Sequence, residues 1–317
     1  MASHASPMPR APKARQRPGD RIFAGSARGA GIIILITLAA VSIFLLAEGY
    51  PALVTPPEEI SILDEQSFTV YVTPLVFGTL WAAALALLMA FPVAIGIALF
   101  ISHYAPRRIA VLLGYVVDLL AAVPSVVYGL WGGVILAPGI RPLYVWLEEN
   151  LSFIPLFAGP ASGTGRTMLT AGIVLAVMVL PIITAVAREV FLQTPRLYEE
   201  AALALGATRW EMIRSVVLPV GRGGVISAAM LGLGRALGET LAVAMVLSAT
   251  GVITINLISS TNPSTIAANV ALSFPEASGL NVNVLIASGL ILFAITLIVN
   301  SIARWVINLR KDFSGAN

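Results

Sequence analysis

Cysteine is absent from the 317 residues, and histidine and lysine occur only twice each, as His4 and His103 and as Lys13 and Lys311. Without cysteine there is no disulfide framework, no thiolate zinc cluster and no iron–sulfur ligation, and two histidines alone do not make a metal site. Neither lysine stands in a GxxxxGK[ST] phosphate loop, so the chain does not hydrolyse ATP by that route. No GxSxG elbow supplies a nucleophile either. These gaps leave redox, metal and hydrolytic chemistry without their usual groups, and the chain reads as a non-enzyme with no catalytic residue, no metal site and no cofactor. Charge is scarce too, with 11% charged residues against 58% hydrophobic. A mean hydropathy of +0.91 lies far outside globular usage and places the chain in the membrane, with lipid as its surroundings.

What is present is a series of long apolar runs. A helix rising about 1.5 Å per residue needs roughly 20 apolar residues to cross about 30 Å of hydrocarbon. Six stretches meet that requirement: 29–47, a segment within 70–102, 109–136, 167–187, 223–250 and 283–303. Pro74 and Pro92 mark bend points in the second. Pro138, Pro142, Pro155 and Pro160 are expected to interrupt the outer connection after the third, with LYVWLEENL as a short surface helix between them. No internal repeat is visible, and the fold class is all-α with one transmembrane domain.

Orientation follows from the basic residues, because short loops rich in Lys and Arg stay in the cytoplasm. Arg10, Lys13, Arg15, Arg17, Arg21 and Arg28 precede the first span; Arg107 and Arg108 follow the second. Arg188, Arg196, Arg209, Arg214 and Arg222 lie between the fourth and fifth, and Arg304, Arg310 and Lys311 close the chain. The opposite loops hold Arg141 and Arg166 among the acids Glu58, Glu59, Asp64, Glu65, Glu148, Glu149 and Glu276. Both termini are therefore expected in the cytoplasm. Residues 1–28 read as a disordered basic tail, 29–310 as the transmembrane domain, and 311–317 as a short C-terminal tail. The net charge of +3 reflects this bias; no basic, aromatic-interleaved module points to nucleic acid.

The segment 194–222 is too polar to cross the bilayer and too rich in helix formers to be a plain loop. Thr194 and Pro195 suit a helix start, Gly206 a left-handed stop, and Thr208 with Glu211 has the spacing of a capping box. Pro219 is expected to end the second helix, whose apolar face carries Met212, Val216 and Val217. Glu200-Ala201-Ala202, Gly206 three residues on, and Val216-x-Leu218-Pro219 after nine more resemble the EAA loop of ABC-importer permeases. Val216 stands where that pattern has isoleucine, which keeps an apolar β-branched side chain. By this resemblance Glu200, Ala201, Gly206 and Leu218 belong to a coupling helix that docks on an ATP-hydrolysing subunit. The bare alternative is an amphipathic connector lying on the membrane.

Residues 231–243, LGLGRALGETLAV, place Arg235 and Glu239 inside an apolar run. Arg235 lies about 18 Å into the fifth span, where an isolated charge costs at least about 2.5 kcal/mol. Glu239, four residues on, would share its helical face and could neutralise it. The pair then either fixes helix packing or lines a translocation path, with Arg235 offering planar donors suited to an oxyanion. Gly234 and Gly238 are spaced to let another helix approach closely. Asp118 in the third span reads as a satisfied polar contact between helices or near the membrane surface, with Pro124 and Gly129 shaping a bend or close packing.

LGLGRALGETLAV together with LLAAVPSVVYGLWG at 119–132 resembles the C-type permease subunit of the bacterial phosphate-specific ABC importer, over roughly residues 70 to 305. The resemblance implies a six-helix importer permease in the inner membrane, with Arg235 and Glu239 on the path of inorganic phosphate. It further implies an A-type second permease, two copies of an ATP-binding subunit and an extracytoplasmic phosphate-binding protein. An importer of another oxyanion, sulfate or molybdate, is the nearest alternative. An ion-coupled secondary transporter would explain Asp118 and Glu239 but not the EAA-like segment.

Overall fold

The computed structural model describes residues 18–309. The chain divides into two units, residues 1–47 and residues 48–317. In the first, the described part is helix α1 (Pro18–Val54), which continues to the start of the second unit. Its residues 18–28 are helical although their composition assigns them to the tail, while the rest of that tail and residues 311–317 lie outside the described residues. Ile32, Ile33, Ile34, Leu35 and Ile36 are all exposed, an apolar surface on every side that suits lipid rather than water.

The second unit is helical throughout its regular structure, with no strand among the described residues beyond one isolated bridge between Ala249 and Asn262. Its main helices are α2 (Phe68–Leu99), α3 (Arg107–Ala121), α4 (Ser125–Trp131), α5 (Ala137–Leu151) and α6 (Met168–Leu192). Then follow α7 (Arg196–Ala204), α8 (Arg209–Met212), α9 (Leu218–Leu237), α10 (Leu241–Val246), α11 (Ile266–Ser273) and α12 (Leu280–Leu309). Six helical runs are long and apolar enough to cross a membrane: Ile22–Val54, Phe68–Tyr104, Ser125–Leu151, Met168–Leu192, Arg209–Leu237 and Leu280–Trp305. The count matches the sequence reading, but the third and fifth runs do not match its boundaries. The helix breaks at residues 122–124, where Pro124 caps α4, so α3 is a separate amphipathic helix. The third span runs on instead through Leu151.

That continuation has a physical cause. A proline interior to a helix lacks an N–H and its ring collides with the carbonyl four residues back. At two of the prolines a five-residue π-helical turn comes just before: Gly132–Leu136 before Pro138 and Ile213–Val217 before Pro219; Pro142, further along α5, lies inside the helix without one. The wider turn displaces the offending carbonyl, so the helix proceeds instead of stopping. Pro138 and Pro219 therefore do not interrupt their helices as expected. Phe100–Tyr104 is a third such turn, ahead of Pro106, where the helix does end. Residues 143–151 are correspondingly part of α5 and partly core, with Tyr144 fully buried.

The centre of the unit is the packing of α2 on α6, with α9 against both. Lipid is as apolar as a side chain, so close van der Waals packing rather than release of water holds membrane helices together. Ala82, Ala86, Ala90, Ala94 and Ala98 form a fully buried four-residue-spaced stripe on α2 that lets α6 approach. Thr184 crosses the seam to the Ala94 carbonyl (3.4 Å). The helix starts are capped by Ser67, Thr167, Thr208 and Thr265, each accepting a bond from a backbone N–H three residues on, worth about 1 kcal/mol apiece.

Beyond the ends of the spans, irregular backbone is held by buried side-chain hydrogen bonds. Asn262 accepts from the Met168 amide and donates to the Ser248 and Ser259 carbonyls. Thr167 donates to the Tyr144 hydroxyl, and Thr170 donates to the Gly165 carbonyl. Since a hydroxyl has one proton, Tyr144 must be the donor in its 2.6 Å contact with Thr170. Gly78 admits the Ser264 carbonyl so closely that a Cβ would lie 2.1 Å from it.

Candidate functional site

α9 ends at Leu237 and α10 begins at Leu241, with Gly238, Glu239 and Thr240 between them. Glu239 is therefore not one turn further along the helix that carries Arg235. It is buried, and its Oε1 accepts the Ala242 amide of α10 at 3.2 Å. No ion pair within 4.0 Å joins it to Arg235 among the described residues. The expectation that the two share a helical face and neutralise each other is thus corrected: a cap for α10 wins over the intrahelical contact. An N–H at a helix start is a ready partner for a carboxylate, whereas Arg before Glu is the weaker order for an i,i+4 pair.

Arg235 is exposed and faces a groove of about 570 Å³. Ser227, Met230, Leu231 and Gly234 of α9, Ile182 of α6, and Asn300, Ala303 and Arg304 of α12 complete its walls. Two guanidiniums, a carboxamide and a hydroxyl thus face one space between otherwise apolar helices. A Cβ on Gly234 would meet nothing within 4 Å, while one on Gly232 would strike Ile183 of α6 at 2.7 Å. Gly232 serves packing within the chain, and the smooth face at Gly234 is open. Asn300 and Arg304 were not singled out from the sequence. Their signal is there, two polar residues four apart at the end of an apolar run, but only the packing of α12 on α9 aims them at Arg235's groove.

α10 is held in place by α4. A Cβ on Gly129 would lie 2.7 Å from the Ala242 Cα, and one on Gly132 would meet Val174 and Val246. The GLWG run is therefore a close-approach surface, as the motif suggests, and it seats the helix that Glu239 caps. Tyr128 donates to the Leu120 carbonyl across the break between α3 and α4.

The second feature is the projecting segment from α7 to α8. Pro195 stands at the N-cap position of α7, one residue later than Thr194, with no side-chain capping bond; Gly206 adopts φ +89° after the helix, and both halves of the Thr208–Glu211 capping box are formed. Glu200, Ala201 and Gly206 are exposed, with Leu205 90% exposed beside them and Leu197 72%. Leu218 is half-buried at the start of α9. Met212, Ile213 and Val217 are buried beneath, so the segment has an anchored face and a bare one. His103, at the end of the second span, reaches Glu199 of α7 (Nε2 to Oε1 3.6 Å) and contacts Ser102 through Nδ1 (2.7 Å).

A family profile described as "binding-protein-dependent transport system inner membrane component" matches residues 90–310. The chain belongs to this family. Within it, phosphate transport system permease protein PstC 2 of Mycobacterium tuberculosis is 44% identical over 298 residues, 91% of either chain. PstC of Mycobacterium leprae is 42% identical over 300 residues, covering 90% of this chain and 92% of its own. PstC of Mesorhizobium japonicum is 38% identical over 299 residues, covering 91% and 90%. A chain of the inward-facing MetNI methionine ABC transporter shares the fold, with a TM-score of 0.52 at 15% identity over 74% of this chain and 95% of that one. The protein is thus a multi-pass, all-α permease of the importer type, a transport subunit of the inner membrane and not an enzyme.

Asp118 is not in the third span, because α3 is separate from it. It is exposed on α3 and lines a second cavity with Arg107, Arg188 and Arg196, at the end of the spans from which α7 projects. No group of three or more His, Asp or Glu placed to hold a metal ion occurs among the described residues.

Proposed function

We propose that this permease passes inorganic phosphate along the groove that holds Arg235, driven by ATP hydrolysis on a separate subunit. Near-full-length identity to permeases named for phosphate transport is the observation that carries the reading. Arg235 has no anionic partner within the described chain and presents planar donors matched to two oxygens of a tetrahedral oxyanion. Glu239 does not line that groove; it is buried and held by the Ala242 amide, so its part on the path is proposed as a contact made when the permease packing changes, where a proton-bearing phosphate has a proton to donate to the carboxylate and sulfate has none.

One chain supplies one wall only. The open face at Gly234 supports a second permease, of the A type, as the opposite wall. The exposed Glu200, Ala201 and Gly206, with Leu218 as the hinge into α9, support docking on one copy of an ATP-binding subunit, the second of the two copies lying under the second permease. An extracytoplasmic phosphate-binding protein would deliver the anion at the other side, and both termini would lie in the cytoplasm with the coupling segment. Nucleotide-driven movement of α7 and α8 would then alternate two packings of the permease pair. The test is ATPase activity of the reconstituted assembly with its binding protein, stimulated by phosphate, sulfate or molybdate. Stimulation by phosphate alone is expected; equal stimulation by all three would remove the substrate assignment and leave the permease in place.

A further inference from the structure

The cavity of about 710 Å³ between the end of the second span, α3 and the end of α6 gathers Arg107, Arg188 and Arg196 around a single carboxylate, Asp118. It lies apart from the groove of Arg235 and shares no residue with it. None of the three arginines is in an ion pair within 4.0 Å among the described residues. The Nε of Arg188 is buried and has no hydrogen-bond partner. Its guanidinium lies across the backbone of α3 at Gly114, where a Cβ would stand 2.1 Å from Nη1. A buried donor without an acceptor is costly, and three cations against one anion leave the pocket with net positive charge.

What such a pocket fits is set by its place. It sits where the spans end and α7 begins, at the level of a bilayer's headgroups. Beside it α3 turns outward an apolar face with Leu112, Tyr115 and Leu119 all exposed. Positive pockets between membrane helices at this depth suit phosphate-bearing headgroups, and an apolar flank suits the acyl chains. We propose that this pocket binds the phosphate of an anionic phospholipid, with Arg188 as the buried donor and Arg107 and Arg196 closing over it.

The complete importer, purified in detergent, would be titrated with phosphatidylglycerol or phosphatidylcholine and the retained lipid read by native mass spectrometry. Arg188→Gln and Arg107→Gln are each expected to weaken phosphatidylglycerol retention about five-fold while leaving phosphatidylcholine unchanged. Arg108→Gln makes the same charge change just outside the cavity and is expected to behave as wild type. Arg107 is exposed, so its variant decides the matter even if Arg188→Gln does not assemble. Equal retention by all variants, no preference over phosphatidylcholine, or displacement of the lipid by millimolar inorganic phosphate would each overturn the assignment. The readout does not depend on what the importer carries.

Discussion

At the scale of single residues, two groups carry the sharpest expectations. Arg235→Ala should abolish uptake in a whole-cell transport assay while the purified assembly keeps its subunit stoichiometry, because the side chain is exposed to the groove and supports no neighbour. Arg235→Lys should recover only part, since a point charge replaces two planar donors. Wild-type uptake by the alanine variant would remove Arg235 from the path. Asn262→Ala is a contrasting case. It deletes three hydrogen bonds, two of them buried, and should lower stability by about 3 kcal/mol, read as a lower melting midpoint of the purified complex. The arginine was legible from the sequence because a charge in an apolar run has to be explained. Asn262 was not, since asparagine in a polar loop is ordinary until its neighbours are known.

At the scale of elements, the π-helical turns before Pro138 and Pro219 decide how the third and fifth spans join their flanking segments. Each π turn inserts one extra residue per turn and so rotates everything beyond it by about 100° relative to a regular helix. Pro219→Ala would free the Ile213–Val217 turn to relax to α geometry and re-aim α7 and α8 relative to α9. The expected result is a lower ratio of anion imported to ATP hydrolysed, from both rates measured on the same proteoliposomes; an unchanged ratio would show the wide turn to be incidental. A proline in a sequence is normally read as a stop, and nothing local distinguishes Pro106, where the helix ends, from Pro138 and Pro219, where it does not. The break at Gly238 was equally hidden. Its 3.6-residue periodicity runs on past the point where Glu239 turns back to cap α10.

At the scale of the whole molecule, the groove and the projecting segment stand at different places on one α6–α9 framework, which is how movement at one could reach the other. Glu200→Arg should uncouple them, leaving the assembly intact and ATP hydrolysed without proportionate uptake; wild-type coupling would detach Glu200 from that role. The sequence by itself determined the membrane class, the number of spans, the family and the capped, exposed segment between the fourth and fifth spans. Hydropathy and fixed-spacing motifs are local quantities, legible along the chain without knowledge of packing; lipid imposes the first on every span. Tertiary structure alone decided that Arg235 and Glu239 part company, that Asn300 and Arg304 share Arg235's groove, and that Asp118 belongs with three arginines. The first is a break in the helix at Gly238 that the Ala242 amide stabilises; the other two bring together helices far apart in the chain, which no local pattern encodes.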